Sequence, residues 1–259
     1  MEVQTNIVAF LALTFAISIC GFICIAKIPG AHSPDNPKAI PFWLITVWGP
    51  SLAAILLSYQ DGRLVELLAP IFQISTIPDQ VWLLVIAPIF LLLILSRFTK
   101  GDREPLRIKL VFISIAFNLI LGPLGEELGW RGFMQEDLNT QLGWLETSIF
   151  IGFIWYIWHL PLWTIQSPQS EISIYLFGFH CLAYSIIIGA AYTLSGGSIL
   201  PAILIHLTLN LASNWALFVG LPKPNDWFRV SIIPYFVLAV ISSWLVYSKT
   251  GEIGLSLLE

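Results

Sequence analysis

Two adjacent carboxylates, Glu126 and Glu127, precede a guanidinium, Arg131, in the segment GEELGWRG from Gly125 to Gly132. On a helix, Glu127 and Arg131 stand one turn apart in the acid-before-base order that favours an i, i+4 ion pair. That pairing would neutralise and fix Glu127. Glu126 points about 100° away around the helix, has no local partner, and is placed to exchange protons. Further along, Trp155 and His159 are i, i+4 neighbours just before Pro161, so the helix should be distorted at the histidine. His206 and Asn210 share a helical face, with Asn214 one turn on. An imidazole and an amide side by side can donate two hydrogen bonds to one oxygen atom, which is what an oxyanion hole requires. The structural alternatives are a solvated helix end for Glu126 to Arg131 and a polar packing seam for His206 and Asn210. His180 has no motif partner and is expected to be structural; His32, in a Pro-rich loop, is expected to be solvated.

The elements that must carry these residues are hydrophobic. Of 259 residues 57% are apolar and 11% charged, 12 Lys and Arg and 16 Asp and Glu, against roughly 25% charged in a soluble domain. Mean hydropathy is +0.82. The apolar residues come in blocks of about 20, the length that crosses a bilayer as a helix, without the alternation of barrel strands. The expected fold is all-α: one integral membrane domain over residues 1–259, a polytopic bundle of about eight helices. Spans are predicted near Ile7 to Ala26, Phe42 to Tyr59, Val81 to Leu95, Leu110 to Met134, Trp144 to Ile165, Ile172 to Leu194, Ser198 to Val219 and Phe228 to Tyr247. The N-terminal run lacks a basic flank and a clear cleavage site and is expected to be a retained span. Gly62 to Ile77, with Arg63 and Glu66 among apolar residues, suits a helix lying at the interface. Pro50 and Pro88 should kink or break their helices.

Eight spans place both termini on one side. Loops one, three, five and seven hold Lys27, Lys38, Arg97, Lys100, Arg103, Arg107, Lys109, Lys223 and Arg229, against Arg63, Arg131 and Lys249 elsewhere. The positive-inside rule then puts both termini away from the cytoplasm of a cell membrane. Charge is thin and without runs, which argues against nucleic acid as a partner. Cys20, Cys24 and Cys181 lie in apolar segments and suggest neither disulfides nor a Cys-ligated metal. No internal repeat supports a transporter.

An ionisable group at the centre of a membrane helix costs at least about 2.5 to 3.5 kcal/mol, so each needs a reason. His159 lies deep in span five and His206 near the middle of span seven. For Glu126 to meet them, span four must run on past Glu126 into RGFMQ, which predicts a long fourth helix and a polar site between spans four, five and seven.

These three motifs, EELGWRG, Trp155 with His159, and HLTLN from His206 to Asn210, in that order on successive hydrophobic helices, resemble the intramembrane proteases of the CPBP family. That family groups type II CAAX prenyl endopeptidases with bacterial Abi and bacteriocin-processing proteins. The likeness covers a motif core of residues 110–215; Trp155 stands where the pattern commonly has Phe. The resemblance implies an intramembrane endopeptidase in which Glu126 and His159 activate a water molecule, His206 and Asn210 stabilise the oxyanion, and Glu127 and Arg131 orient the site. Glu126, His159 and His206 also have the ligand types of a His2Glu catalytic zinc site, without the HExxH spacing. Zn2+ and metal-free chemistry are both open, with metal-free chemistry preferred. The implied partners are the bilayer and a peptide or protein substrate; a lipidated substrate is inherited from one branch of the family only, and no oligomer is implied. The competing class is a non-catalytic immunity or scaffold protein that uses the polar cluster for packing. One cavity lined by Glu126, His159, His206 and Asn210 would favour the protease.

Overall fold

The computed structural model describes residues 2–254 except 35, 100, 104 and 222, and is helical throughout, with no strand among the described residues. Lys100, counted above for topology, lies outside them. Seven helices are long and apolar enough to cross a membrane: α1 (Glu2–Ala26), α2 (Ile40–Gln60), a segment from α4 (Asp79–Leu95) on to Phe98, a composite fourth span, a composite fifth, α10 (Ile174–Leu194) and α12 (Pro224–Thr250). The eighth predicted span is α11 (Ile199–Trp215), shorter at 17 residues and so about 25 Å long. It is enclosed by other helices, and buries His206 together with Ile205, Leu209 and Ala212. The start of α1 and the end of α12 come to the face of loops two, four and six. Phe10 stacks on Phe133 there, and the Lys249 ammonium donates to the Leu194 carbonyl at 2.9 Å.

The outward surfaces carry Leu, Ile and Phe, such as Leu83, Phe90 and Ile233, as lipid contact requires. Polar side chains are turned inward: Thr14, Ser18 and Thr46 are buried between α1 and α2, and the buried Ser51 hydroxyl donates to the Leu124 carbonyl. Of the two outcomes expected at the prolines, a kink or a break, the break does not occur: Pro50 sits inside a continuous α2 and Pro88 inside a continuous α4. Proline at position 50 deprives the Thr46 carbonyl of its helical donor. The Ser18 hydroxyl supplies the replacement at 2.8 Å, and itself accepts from the Trp158 indole at 2.9 Å.

The fourth span runs past Glu126 as expected but not as one helix. α5 (Ile108–Ile120) stops at Leu121 and Gly122. The chain then resumes as α6 (Pro123–Glu127), a π-helical stretch Leu128–Gln135 and α7 (Glu136–Leu138). Pro123 explains the break: it disfavours helix at the residue before it and lacks the N–H that would continue the ladder. The fifth span is divided in the same way, α8 (Trp144–His159) giving way at Leu160 to α9 (Pro161–Thr164). Between α2 and α4, α3 (Leu64–Leu68) and a 3-10 turn Ala69–Phe72 expose Val65 and Phe72 and do not cross.

Candidate active site

The break before Pro123 sets the first carboxylate. Because α6 starts afresh, Glu126 lies in its first turn, and the π-helical stretch that follows keeps Glu127 and Arg131 side by side inside the bundle. Glu126 is 4% exposed, and Glu127 and Arg131 are 0%. The expected ion pair is present, with Arg131 Nη1 at 3.1 Å from Glu127 Oε2. Arg131 Nη2 also donates to the Ser185 hydroxyl at 3.1 Å, and that hydroxyl donates to the Ser148 carbonyl at 2.7 Å. A solvated helix end is therefore not what this segment forms. A buried pair of this kind persists only when its remaining hydrogen-bonding capacity is met.

Glu127 has a second partner, His206, whose Nδ1 lies 2.6 Å from Glu127 Oε1. The Glu126 carboxylate instead takes the Trp155 indole N–H at 2.7 Å on Oε2. The two adjacent carboxylates are thus divided, one facing α11 and Arg131, the other α8. At the end of α8, His159 Nδ1 lies 2.8 Å from the Trp155 carbonyl. A carbonyl only accepts, so Nδ1 carries the hydrogen, and in the neutral ring Nε2 keeps its lone pair. Both imidazoles pack edge-on against Trp155, with ring centroids 5.4 Å (His159) and 5.1 Å (His206) away.

Asn210 is brought in by Gly122. A Cβ at position 122 would sit 2.8 Å from Asn210 Nδ2 and 4.0 Å from His206 Nε2, so the two candidate donors converge on the backbone of the helix break. Only glycine leaves room for that approach.

Glu126, Trp155, His159, His206 and Asn210 all line one cavity of about 680 Å³. Its walls are mostly apolar, with Trp43, Val47, Ile113, Phe117, Phe177 and Phe228 among them. Its rim is made by Ser33 and Pro34 of loop one, Leu106 of loop three, Gln169 of loop five and Pro224 of loop seven. Cys181, His180 and Tyr184 also face it.

Of the remaining residues, His180 is bonded through Nδ1 to the Leu176 carbonyl and through Nε2 to the Ser231 hydroxyl. His32 is not simply solvated: its Nδ1 lies 2.8 Å from the Ile165 carbonyl and ties loop one to loop five. Asn214 donates to Asn118 Oδ1 at 2.6 Å, and Trp215 donates to the Ser114 hydroxyl at 3.1 Å, which fastens α5 to α11. Sequence reasoning missed Ser185 and Ser148, because a lone serine in an apolar helix carries no spacing signal. Asn118, a polar residue in an apolar span, was visible and unused.

The zinc question turns on donor placement. Glu126, His159 and His206 are the right types, yet among the described residues no three His, Cys, Asp or Glu side chains come close enough together to hold an ion. As placed, these groups do not form a metal site.

Fold and site together define a multi-pass helical membrane protein with a buried carboxylate, imidazole and amide centre at the end of an apolar cavity. Residues 108–212 carry a domain that matches the family model described as Type II CAAX prenyl endopeptidase Rce1-like. A curated relative, "CAAX prenyl protease 2" of Methanococcus maripaludis, is 36% identical over 107 residues, which is 39% of this chain and 40% of that protein. The chain thus spans less than half the length of the curated relative it matches. The resemblance drawn from the three motifs holds over the segment that contains them.

Proposed function

We propose that the protein is an intramembrane endopeptidase that hydrolyses a peptide bond inside the cavity, at the end of a chain entering past loops one, three, five and seven. The observation that carries this reading is the single cavity shared by Glu126, His159, His206 and Asn210. Glu126 is the general base. With Oε2 held by Trp155, Oε1 is left to accept a proton from water, and the free Nε2 of His159 accepts from the same water or orients it. The hydroxide equivalent attacks the scissile carbonyl, and negative charge develops on its oxygen. The Asn210 amide donates to that oxygen from beside Gly122. His206 joins it through Nε2 when both its nitrogens carry hydrogen, since Nδ1 donates to Glu127. Glu127 and Arg131 hold His206 in place. Collapse of the tetrahedral intermediate breaks the C–N bond, and the proton taken by Glu126 passes to the departing amine.

The apolar walls suit a substrate whose cleaved end carries a hydrocarbon group, in keeping with the curated relative's name, CAAX prenyl protease 2. Most of the basic residues sit in the loops around the mouth, which supports a cavity open to the cytoplasm of the cell membrane and both termini on the far side. The test compares membrane peptides, by mass spectrometry, from cells making the wild-type protein and cells making Glu126→Ala at equal level. Peptides that end at a new C-terminus only with the wild type are expected. Identical profiles would favour a non-catalytic scaffold.

A further inference from the structure

A second pocket, about 520 Å³ in volume, opens on the face opposite the cavity mouth, among Ser58, Arg63, Glu136, Asp137, Asn139 and Tyr192. It is joined to the candidate active site by one line of side chains. Glu127, Arg131, Gln135 and Asn139 recur every four residues along the segment that leaves the site, through the π-helical stretch to the end of α7. Glu127, Arg131 and Gln135 are each 0% exposed. Along the line, polar atoms are buried without a hydrogen-bond partner among the described residues: Arg131 Nε, Gln135 Oε1 and Asn139 Oδ1. Glu127 Oε2 has Arg131 Nη1 at 3.1 Å, but the pair is not aligned as a hydrogen bond. The Gln135 amide reaches only the Gly189 carbonyl, at 3.4 Å, and a Cβ on Gly189 would close to 3.3 Å of it.

Buried polar atoms are satisfied in nearly all folded proteins, and an orphan beside polar neighbours is the usual place for an ordered water. Three orphans four residues apart along this segment, ending at an open polar pocket, meet that condition together. We propose that this row is a hydrated path: a file of water molecules enters from the pocket, passes Asn139 and Gln135, and reaches Arg131 and Glu127. It solvates the buried ion pair from the face away from the cavity, and does not depend on the protease reading.

The test is cysteine accessibility in the full-length chain, with Cys20, Cys24 and Cys181 replaced and silver ion applied to membranes as the probe. A thiol reached only by local opening is protected. Asn139→Cys and Gln135→Cys should therefore react at least about tenfold faster than Met134→Cys, a fully buried neighbour off the row. A Gln135→Cys rate equal to that of Met134→Cys overturns the path. Should either cysteine variant fail to fold, a structure of the unsubstituted protein that resolves water decides it. Water within about 3.2 Å of Arg131 Nε and Gln135 Oε1 supports the path; a dry row overturns it.

Discussion

The indole of Trp155 touches Glu126, His159 and His206 at once: it donates to the carboxylate at 2.7 Å and has both imidazoles edge-on. Trp155→Phe keeps an aromatic ring at the wall and removes the donor. A hydrogen bond to a charged group contributes about 1.5 to 3 kcal/mol, so kcat should fall about 10- to 100-fold with KM little changed. Steady-state kinetics on a peptide substrate would read this, and an unchanged kcat would remove Trp155 from the positioning of Glu126. Asn210→Ala should cost about 100- to 1000-fold in kcat, the range for losing one oxyanion donor; a loss confined to KM would make Asn210 a substrate contact instead. At this scale the sequence was informative about residue types and poor about pairings. The Glu127–Arg131 pair follows from helical spacing alone. The bonds from Trp155 to Glu126 and from His206 to Glu127 join residues 29 and 79 positions apart, and only the packing of α6 against α8 and α11 brings them together.

Among the elements, the composite fourth span decides the geometry of the site. Its approach to α2 rests on Gly125 and Gly129, a small-xxx-small pair to which the sequence reading assigned no packing role. A Cβ at position 129 would lie 2.5 Å from the Pro50 carbonyl carbon. Gly129→Ala should destabilise the bundle by about 1 to 3 kcal/mol through overpacking, visible as a lower Tm in detergent; an unchanged Tm would mean that α2 yields. The Ser18 hydroxyl satisfies the carbonyl that Pro50 frees and accepts from Trp158. Ser18→Ala should accordingly lower stability by about 1 to 3 kcal/mol by leaving buried groups unpaired, read by the same thermal scan. The positions of the spans were legible because bilayer thickness fixes their length. The break at Leu121 and Gly122 was written in the Gly-Pro step but was masked by the apolar run around it. That α2 stays unbroken at Pro50 was not legible, because the compensating donor, Ser18, comes from another helix.

For the whole molecule, the cavity mouth and the second pocket lie at opposite ends of the bundle, and the termini share the second pocket's face. If the basic loops are cytoplasmic, reporter enzymes that work only outside the cytoplasm should be active when fused at either terminus, and inactive when fused in loop three. The opposite pattern would invert the topology and turn the cavity mouth away from cytoplasmic substrates. Hydropathy made the spans legible, while the cavity itself had no signature in sequence beyond the polar residues at its end. The central claim is that this cavity cleaves peptide bonds with Glu126 as base. It is tested most directly with the purified chain in lipid nanodiscs and a synthetic peptide that ends in a prenylated cysteine and three further residues. The wild type should release the C-terminal tripeptide. Glu126→Ala, eluting and melting like the wild type, should release none. Equal release by both proteins, or none by the wild type from prenylated and unmodified peptides alike, would contradict the account.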